Sequence, residues 1–452
     1  MHRMIRKLLC AAFALTGPMI IAAAQEPAPT SVLFENVRIF DGIGERLSDP
    51  ANVLVVGNTI QSISSTAIAD LPTDALLVIR GEGRTLMPGL IDNHWHTLLA
   101  RSSLAELLDG DMGYANIVAT REAEATLMRG FTTVRDLGGP SFGLKRAIDE
   151  GVTVGPRIYP SGAMITITGG HGDFRTPADL PRQLGGPPSR MEIRNGSLLA
   201  DSPDEVRVRV REQLLLGASQ IKLTAGGGVA SPHSPLDVST FTQDELEAAV
   251  EAAENWGTYV TVHAYTPVAI QRAIAAGVRV IEHGHLLDDA TAQLIAENGI
   301  WLSFQPFTDD GYAPPLPPAN QARLEQVRTG TEKTIALAKQ YGIKVAFGTD
   351  ILFSPTGGEH QLFELIKFSR WYSAAETLAM ATSANGELLK LSGPRDPYPG
   401  KLGVVEEGAL ADLLLVDGDP LANIRVLEDP ARNFLVIMKD GRIYKNDLEN
   451  GH

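Results

Sequence analysis

His94 and His96, in the stretch LIDNHWHTLLA, are two imidazoles separated by one residue. In a β-strand, side chains alternate between faces, so both rings project to one side while Trp95 projects to the other. Further along, Lys222 lies in SQIKLTAGG, His263 in TYVTVHAY, His283 in VRVIEHGH and Asp350 in IKVAFGTD, each in or at the end of a short β-like run. Four imidazoles and one carboxylate suit a borderline divalent ion such as Zn²⁺, and an open coordination position would make the site catalytic. Lys222 does not fit as an ammonium, which repels a metal. Carboxylation of its amine by carbon dioxide gives an anion with two oxygens, able to bridge two ions. The competing reading is a buried lysine in an ordinary ion pair.

Something must hold these groups together. Between residues 87 and 392, short strands alternate with amphipathic stretches such as DEVRVRVREQLLLGA, TQDELEAAVEAAENWG and ATAQLIAENG, each closed by Gly or Asn-Gly. Eight such units in about 300 residues predict an α/β fold, a (β/α)8 TIM barrel, whose chemistry collects at the C-terminal strand ends. His94 and His96 then end the first strand, Lys222 lies in the fourth, His263 in the fifth and His283 in the sixth, and Asp350 ends the eighth. GGGVA lacks the glycine spacing of a dinucleotide site. Residues 31–86 and 397–449 read as hairpin-rich β-segments, with KDGR supplying an Asp-Gly turn. The expectation is one small β-sandwich domain built from both chain ends.

The first 24 residues place Arg3, Arg6 and Lys7 before an apolar, alanine-rich run, the order of a secretory signal peptide. Cleavage near Gln25 would export the protein to a periplasm or the exterior, and would remove Cys10, the single cysteine. The mature chain then has neither a disulfide framework nor a thiol nucleophile. With 44% apolar and 21% charged residues, the 452-residue chain has the composition of a globular protein. Its net charge of -15 argues against nucleic acid as a partner. No stable membrane association is expected, and a homo-oligomer is.

The ordered series PGLIDNHWH, IKLTAGGG, VTVHAY, IEHGH and FGTD, with the returning tail GKLGVVEEGALADLLLVDGDPL, resembles the amidohydrolase superfamily. Within it, Lys222 and GGHGD at 169–173 are similar to the imidazolonepropionase-related group, which holds prolidase-like metal carboxypeptidases and ochratoxin-hydrolysing amidases. The resemblance implies one ion on His94, His96 and Asp350 and a second on His263 and His283, with carboxylated Lys222 and a hydroxide between them. It makes Asp350 the group that takes the proton and passes it to the leaving nitrogen. It also assigns His171 and Tyr265 to a substrate carboxylate, while His285 shares the face of His283 by alternation and is a pocket-lining candidate. The implied activity is cleavage of the C-terminal amide bond of N-acyl amino acids or dipeptides, with a hydrophobic leaving residue. Alternatives are a mononuclear cyclic-amide hydrolase or deaminase on the same fold, a phosphotriesterase-type activity, or a non-catalytic metal-binding protein. The Gly- and Pro-rich segment 163–202 reads as a lid or pocket wall, with GYAPPLPPAN as the opposite rim. Arg135 and Asp136 are expected in structural ion pairs, and His233 and His360 have no assigned role.

Overall fold

A computed structural model describes residues 31–69, 71–72, 75–180, 182–231, 233–309 and 317–448. The expected leader at 1–24 and most of the GYAPPLPPAN rim lie outside them. Eight parallel strands form the barrel: β1 (Leu90–Trp95), β2 (Phe131–Asp136), β3 (Arg157–Pro160), β4 (Ile221–Thr224), β5 (Val260–Ala264), β6 (Val280–His283), β7 (Trp301–Phe304) and β8 (Val345–Phe347). Backbone ladders join β1 to β2 and β2 to β3, and run in order from β4 to β8. Every residue of β1, β2, β5 and β6 is buried, as strands covered on both faces must be.

Side-chain amides help close the two seams between these ladders. At the β8–β1 seam, Asn385 Nδ2 donates to the carbonyls of Ile91 and Phe347 at 2.7 and 2.8 Å, and its Oδ1 accepts from Phe347 N. Gly348 makes the close approach possible, because a Cβ there would sit 2.5 Å from that of His94. At the β3–β4 seam, Gln220 Nε2 reaches the carbonyls of Asp136 and Tyr159 at 3.2 and 2.9 Å. The outer helices begin and end where local chemistry dictates. Helix Gln243–Glu254 opens on a Thr242/Glu245 capping box, and helix Pro203–Leu216 opens on Ser202 with Pro203 in its first turn and stops at Gly217 with φ 99°. No helix among the described residues is long and apolar enough to cross a membrane.

The chain ends meet as expected, in an eight-stranded mixed sheet. Strand Ser31–Ile39 pairs antiparallel with Ala51–Val56 and parallel with Leu76–Arg80, then, past a bulge between Phe34 and Val37, parallel with Thr85–Pro88. Thr85–Pro88 in turn pairs with Leu413–Val416, which leads to Phe434–Lys439 and Arg442–Asn446. Hydrogen bonding therefore continues from one half of the expected sandwich into the other, and Val32, Phe34, Val53, Leu86, Leu413 and Met438 share one core. The sheet is tied to the barrel by Arg157 at the start of β3, which pairs with Asp412 at 3.0 Å and Asp440 at 2.6 Å.

Segment 163–202 carries elements of its own. Met164–Thr166 pairs in parallel with Ser197–Leu199 and touches β4 at Leu223, extending the second ladder. A short helix, Arg190–Ile193, is set by a Ser189/Glu192 capping box.

Candidate active site

The strand order brings His94, His96 and Asp350 together at the β8–β1 seam. Asp350 N donates to the His94 carbonyl at 2.7 Å, and Asp350 Oδ1 lies 3.1 Å from His94 Nε2 and 3.0 Å from His96 Nε2. The three side chains offer ligand atoms all within 4.8 Å of one another. Asp350 sits at φ 55°, a left-handed conformation uncommon outside Gly, Asn and Asp, and one held at a cost when a site needs it. Burial favours the neutral carboxyl, but His94, His96 and His283 outweigh it and hold Asp350 well below the usual carboxylate range. Beneath the seam, buried Asp92 accepts from His94 N, from the backbone and hydroxyl of Thr349, and from Gln361 Nε2.

His263 and His283 pack edge to face with ring centroids 4.4 Å apart and planes at 72°, and the His283 ring lies 5.1 Å from that of His94. Burial pushes both His263 and His283 well below the usual imidazole range, so each is neutral and keeps a lone pair for an electrophile. His283 Nε2 has no hydrogen-bond partner and lies 3.9 Å from Asp350 Oδ2. Lys222 is 2% exposed and its Nζ has no partner either. Burial pushes its amine down to about 8, although Glu282 and Asp350 pull the other way.

His171 stacks on His263, with centroids 4.2 Å apart and planes at 19°, and Tyr265 stacks on His283 at 4.9 Å and 12°. The His171 turn is clasped by Asp173, which accepts from Gly169 N and from the Arg175 guanidinium. Burial takes His171 down to about 4 and Tyr265 well above the usual phenol range, so both are neutral N–H or O–H groups at pH 7. His285 stands further back. Its ring centroid is 5.7 Å from that of Tyr265, its Nε2 meets the Gln305 carbonyl at 2.8 Å, and its face rests on Phe304. His233 bonds the Arg175 carbonyl at 2.9 Å.

Two further residues bear on the site. Gln305, just past β7, places its side-chain amide 2.9 Å from His283 Nδ1 and 3.5 Å from Asp350 Oδ2. Glu282 puts Oε2 3.0 Å from His94 Nδ1 and Oε1 2.7 Å from Arg135. Arg135 is thus in an ion pair as expected. Asp136 is not: it accepts from the backbone N–H groups of Thr97, just past β1, and Gly138, just past β2, where the chain has left the strand ladders. Alternation places Glu282 opposite His283. The left-handed φ of 79° at His283 turns the chain at the strand end and lets both side chains reach the His94 region.

Comparison with known proteins agrees with this geometry. The sequence profile described as "Amidohydrolase family" matches residues 85–444. An ochratoxinase of Aspergillus niger is 30% identical over 459 residues, covering 95% of this chain and 89% of that one. A prolidase crystallised with N-methylphosphonate-L-proline superposes with a TM-score of 0.83 at 34% identity, covering 92% of this chain and 100% of the other. A Xaa-Pro dipeptidase with methionine bound in its active site superposes with a TM-score of 0.77 at 30% identity, covering 92% and 100%.

Proposed function

Because the chain belongs to the amidohydrolase family and is a metal-dependent hydrolase, we propose that it uses two divalent ions to cleave the C-terminal amide bond of an N-acyl amino acid or dipeptide. The carrying observation is the set of buried atoms left without partners. His283 Nε2 and Lys222 Nζ are closed off from water, yet nothing in the chain satisfies them. An orphaned buried polar atom costs about 1–3 kcal/mol, so an occupant that satisfies both fits the site. His94, His96 and Asp350 would hold one ion and His263 and His283 the other, with Lys222, carboxylated, between them. The donor set of imidazole and carboxylate suits Zn²⁺. When bound, such ions lower the pKa of water from about 15.7 toward 7 and polarise a carbonyl.

The chain's own groups do the rest. Lys222, with an amine near 8, has a neutral fraction able to attack carbon dioxide, forming a carbamate and releasing a proton. Asp350 Oδ1 is engaged by His94 and His96, which leaves Oδ2 as the atom to take a proton and deliver it to the leaving nitrogen. The N–H of His171 and the O–H of Tyr265 donate to the substrate's free carboxylate, with His285 behind Tyr265. The likeness to an ochratoxinase and a prolidase supports an amide placed one residue from that carboxylate. A mononuclear deaminase or cyclic-amide hydrolase needs no bridging anion, and the solitary Nζ of Lys222 speaks against it. The basic and apolar order of residues 1–24 supports export. N-terminal sequencing of the native protein should read from near Gln25, and soluble protein starting at Met1 would contradict it.

The substrate reading is tested with acyl-Phe, acyl-Phe-amide and acyl-Lys. A hydrogen bond to a charged group contributes about 1.5–3 kcal/mol, so masking the carboxylate as an amide should lower kcat/KM roughly ten- to a hundredfold. His171→Ala and Tyr265→Phe should shrink that difference, and acyl-Lys should be a poor substrate. Equal cleavage of acid and amide by the wild type would remove the carboxylate clamp.

A further inference from the structure

We propose that Glu282 is a positioning residue for His94, fixing the ring so that Nε2, and not Nδ1, carries the lone pair offered to a metal. Glu282 is completely buried in β6, and its two oxygens have separate duties. Oε1 accepts from Arg135 Nη2 at 2.7 Å and from the Thr261 hydroxyl. Arg135 is itself immobilised, because its Nε donates to the Asn93 carbonyl at 2.6 Å and its Nη1 to the Tyr259 hydroxyl at 3.1 Å. That leaves Oε2 facing His94 Nδ1 at 3.0 Å, an ion-pair contact between two buried atoms that have no hydrogen-bond partner. Nε2 is turned to Asp350 and the cluster of ligand atoms, so when that nitrogen holds an ion Nδ1 is the atom left to carry the proton, and Oε2 is the acceptor facing it.

Two other histidines of the site follow the same logic with weaker partners. His96 turns Nδ1 to the Gly138 carbonyl at 3.3 Å, and His263 turns Nε2 to the Gly227 carbonyl at 2.8 Å. Carbonyls also only accept. Among these three rings, His94 alone is backed by an anion, which makes its Nε2 the most basic of the set. The buried Arg135–Glu282 pair is weak evidence for stability, since such pairs barely offset their desolvation. Holding His94 in one tautomer gives the pair a function that stability does not.

Glu282→Gln inverts the contact. The amide oxygen takes the Oε1 place against Arg135 and Thr261, so Nε2 of the new glutamine points a donor at His94 Nδ1. The imidazole then keeps its proton on its own Nε2, where it blocks coordination. The inference rests on the metal site of the proposed function but not on its substrate. The test loads the full-length enzyme with Zn²⁺ and titrates it against a chelator of known affinity. In parallel, ¹⁵N shifts of the histidines are read in the Zn²⁺-loaded protein and circular dichroism checks the fold. We expect Glu282→Gln to lower Zn²⁺ affinity roughly ten- to a hundredfold and to move one histidine from the Nδ1–H to the Nε2–H form. Should that variant fail to fold, Glu282→Leu with Arg135→Met removes acceptor and cation together, leaves no unpaired buried charge, and should show the same loss of Zn²⁺. A folded variant of either kind that holds Zn²⁺ as tightly as the wild type overturns the role of Glu282 alone. A wild type that holds no Zn²⁺ overturns the metal site, and the inference with it.

Discussion

Lys222 in the barrel and Lys439 in the terminal sheet are 2% and 6% exposed, and burial pushes both amines down to about 8. They differ in what surrounds the nitrogen. Lys439 Nζ donates to the Gly155 carbonyl at 2.6 Å, beside the Arg157–Asp412–Asp440 cluster that ties sheet to barrel. Lys222 Nζ has no partner, although Glu282 and Asp350 are close enough to act on its charge. The same desolvation therefore serves two ends. Where a carbonyl meets the amine, a buried lysine is a joint. Where nothing meets it, the amine is free for the carboxylation proposed above.

Substitution at each lysine should separate the two cases. Lys222→Ala should lose one or both ions and nearly all turnover, measured by metal analysis and by hydrolysis of acyl-Phe. Full turnover in that variant would make Lys222 another structural lysine. Within the same barrel end, Asp350→Asn keeps the volume but removes the proton acceptor, and its kcat should fall at least about a hundredfold. An unchanged kcat would move proton transfer to another group.

The smallest effect belongs to Lys439→Met, which should leave turnover within about twofold and change only the pH dependence of stability. The folded amine titrates near 8, and that of the unfolded chain near 10.4. Between those values the unfolded chain holds more protons, so stability rises with pH across this window, by at most about 3 kcal/mol. Denaturation curves at pH 7.5 and 10 should show the rise in the wild type and a smaller one in Lys439→Met, Lys222 accounting for what remains. The same rise in both proteins would assign it to another group.

The lysine contrast also marks the limit of what the sequence discloses. HxH, HAY, HGH and GTD are legible because strand alternation and barrel topology are local rules, and they bring His94, His96 and Asp350 to one seam. The state of Lys222 is legible only as a question, since a sequence does not say whether a buried amine meets a carbonyl. Glu282 is hidden for a different reason. Alternation turns it away from His283, and the left-handed turn at His283 that brings both to the His94 region is a tertiary demand on a non-glycine residue. Asn385 closes the β8–β1 seam from a position 294 residues beyond Ile91, a separation over which no local pattern operates. The β-segments at the chain ends are legible, but their continuity through Ser31–Ile39 depends on a bulge that composition does not mark.

The central claim is that His94, His96, Lys222, His263, His283 and Asp350 form one two-ion centre. Its most direct test is the metal content of the purified native enzyme, counted per chain by mass spectrometry after exhaustive desalting and set beside the turnover of the same sample. The expected result is about two divalent ions per chain, with turnover lost as either is withdrawn. One ion per chain in a sample that turns over at its full rate would contradict it.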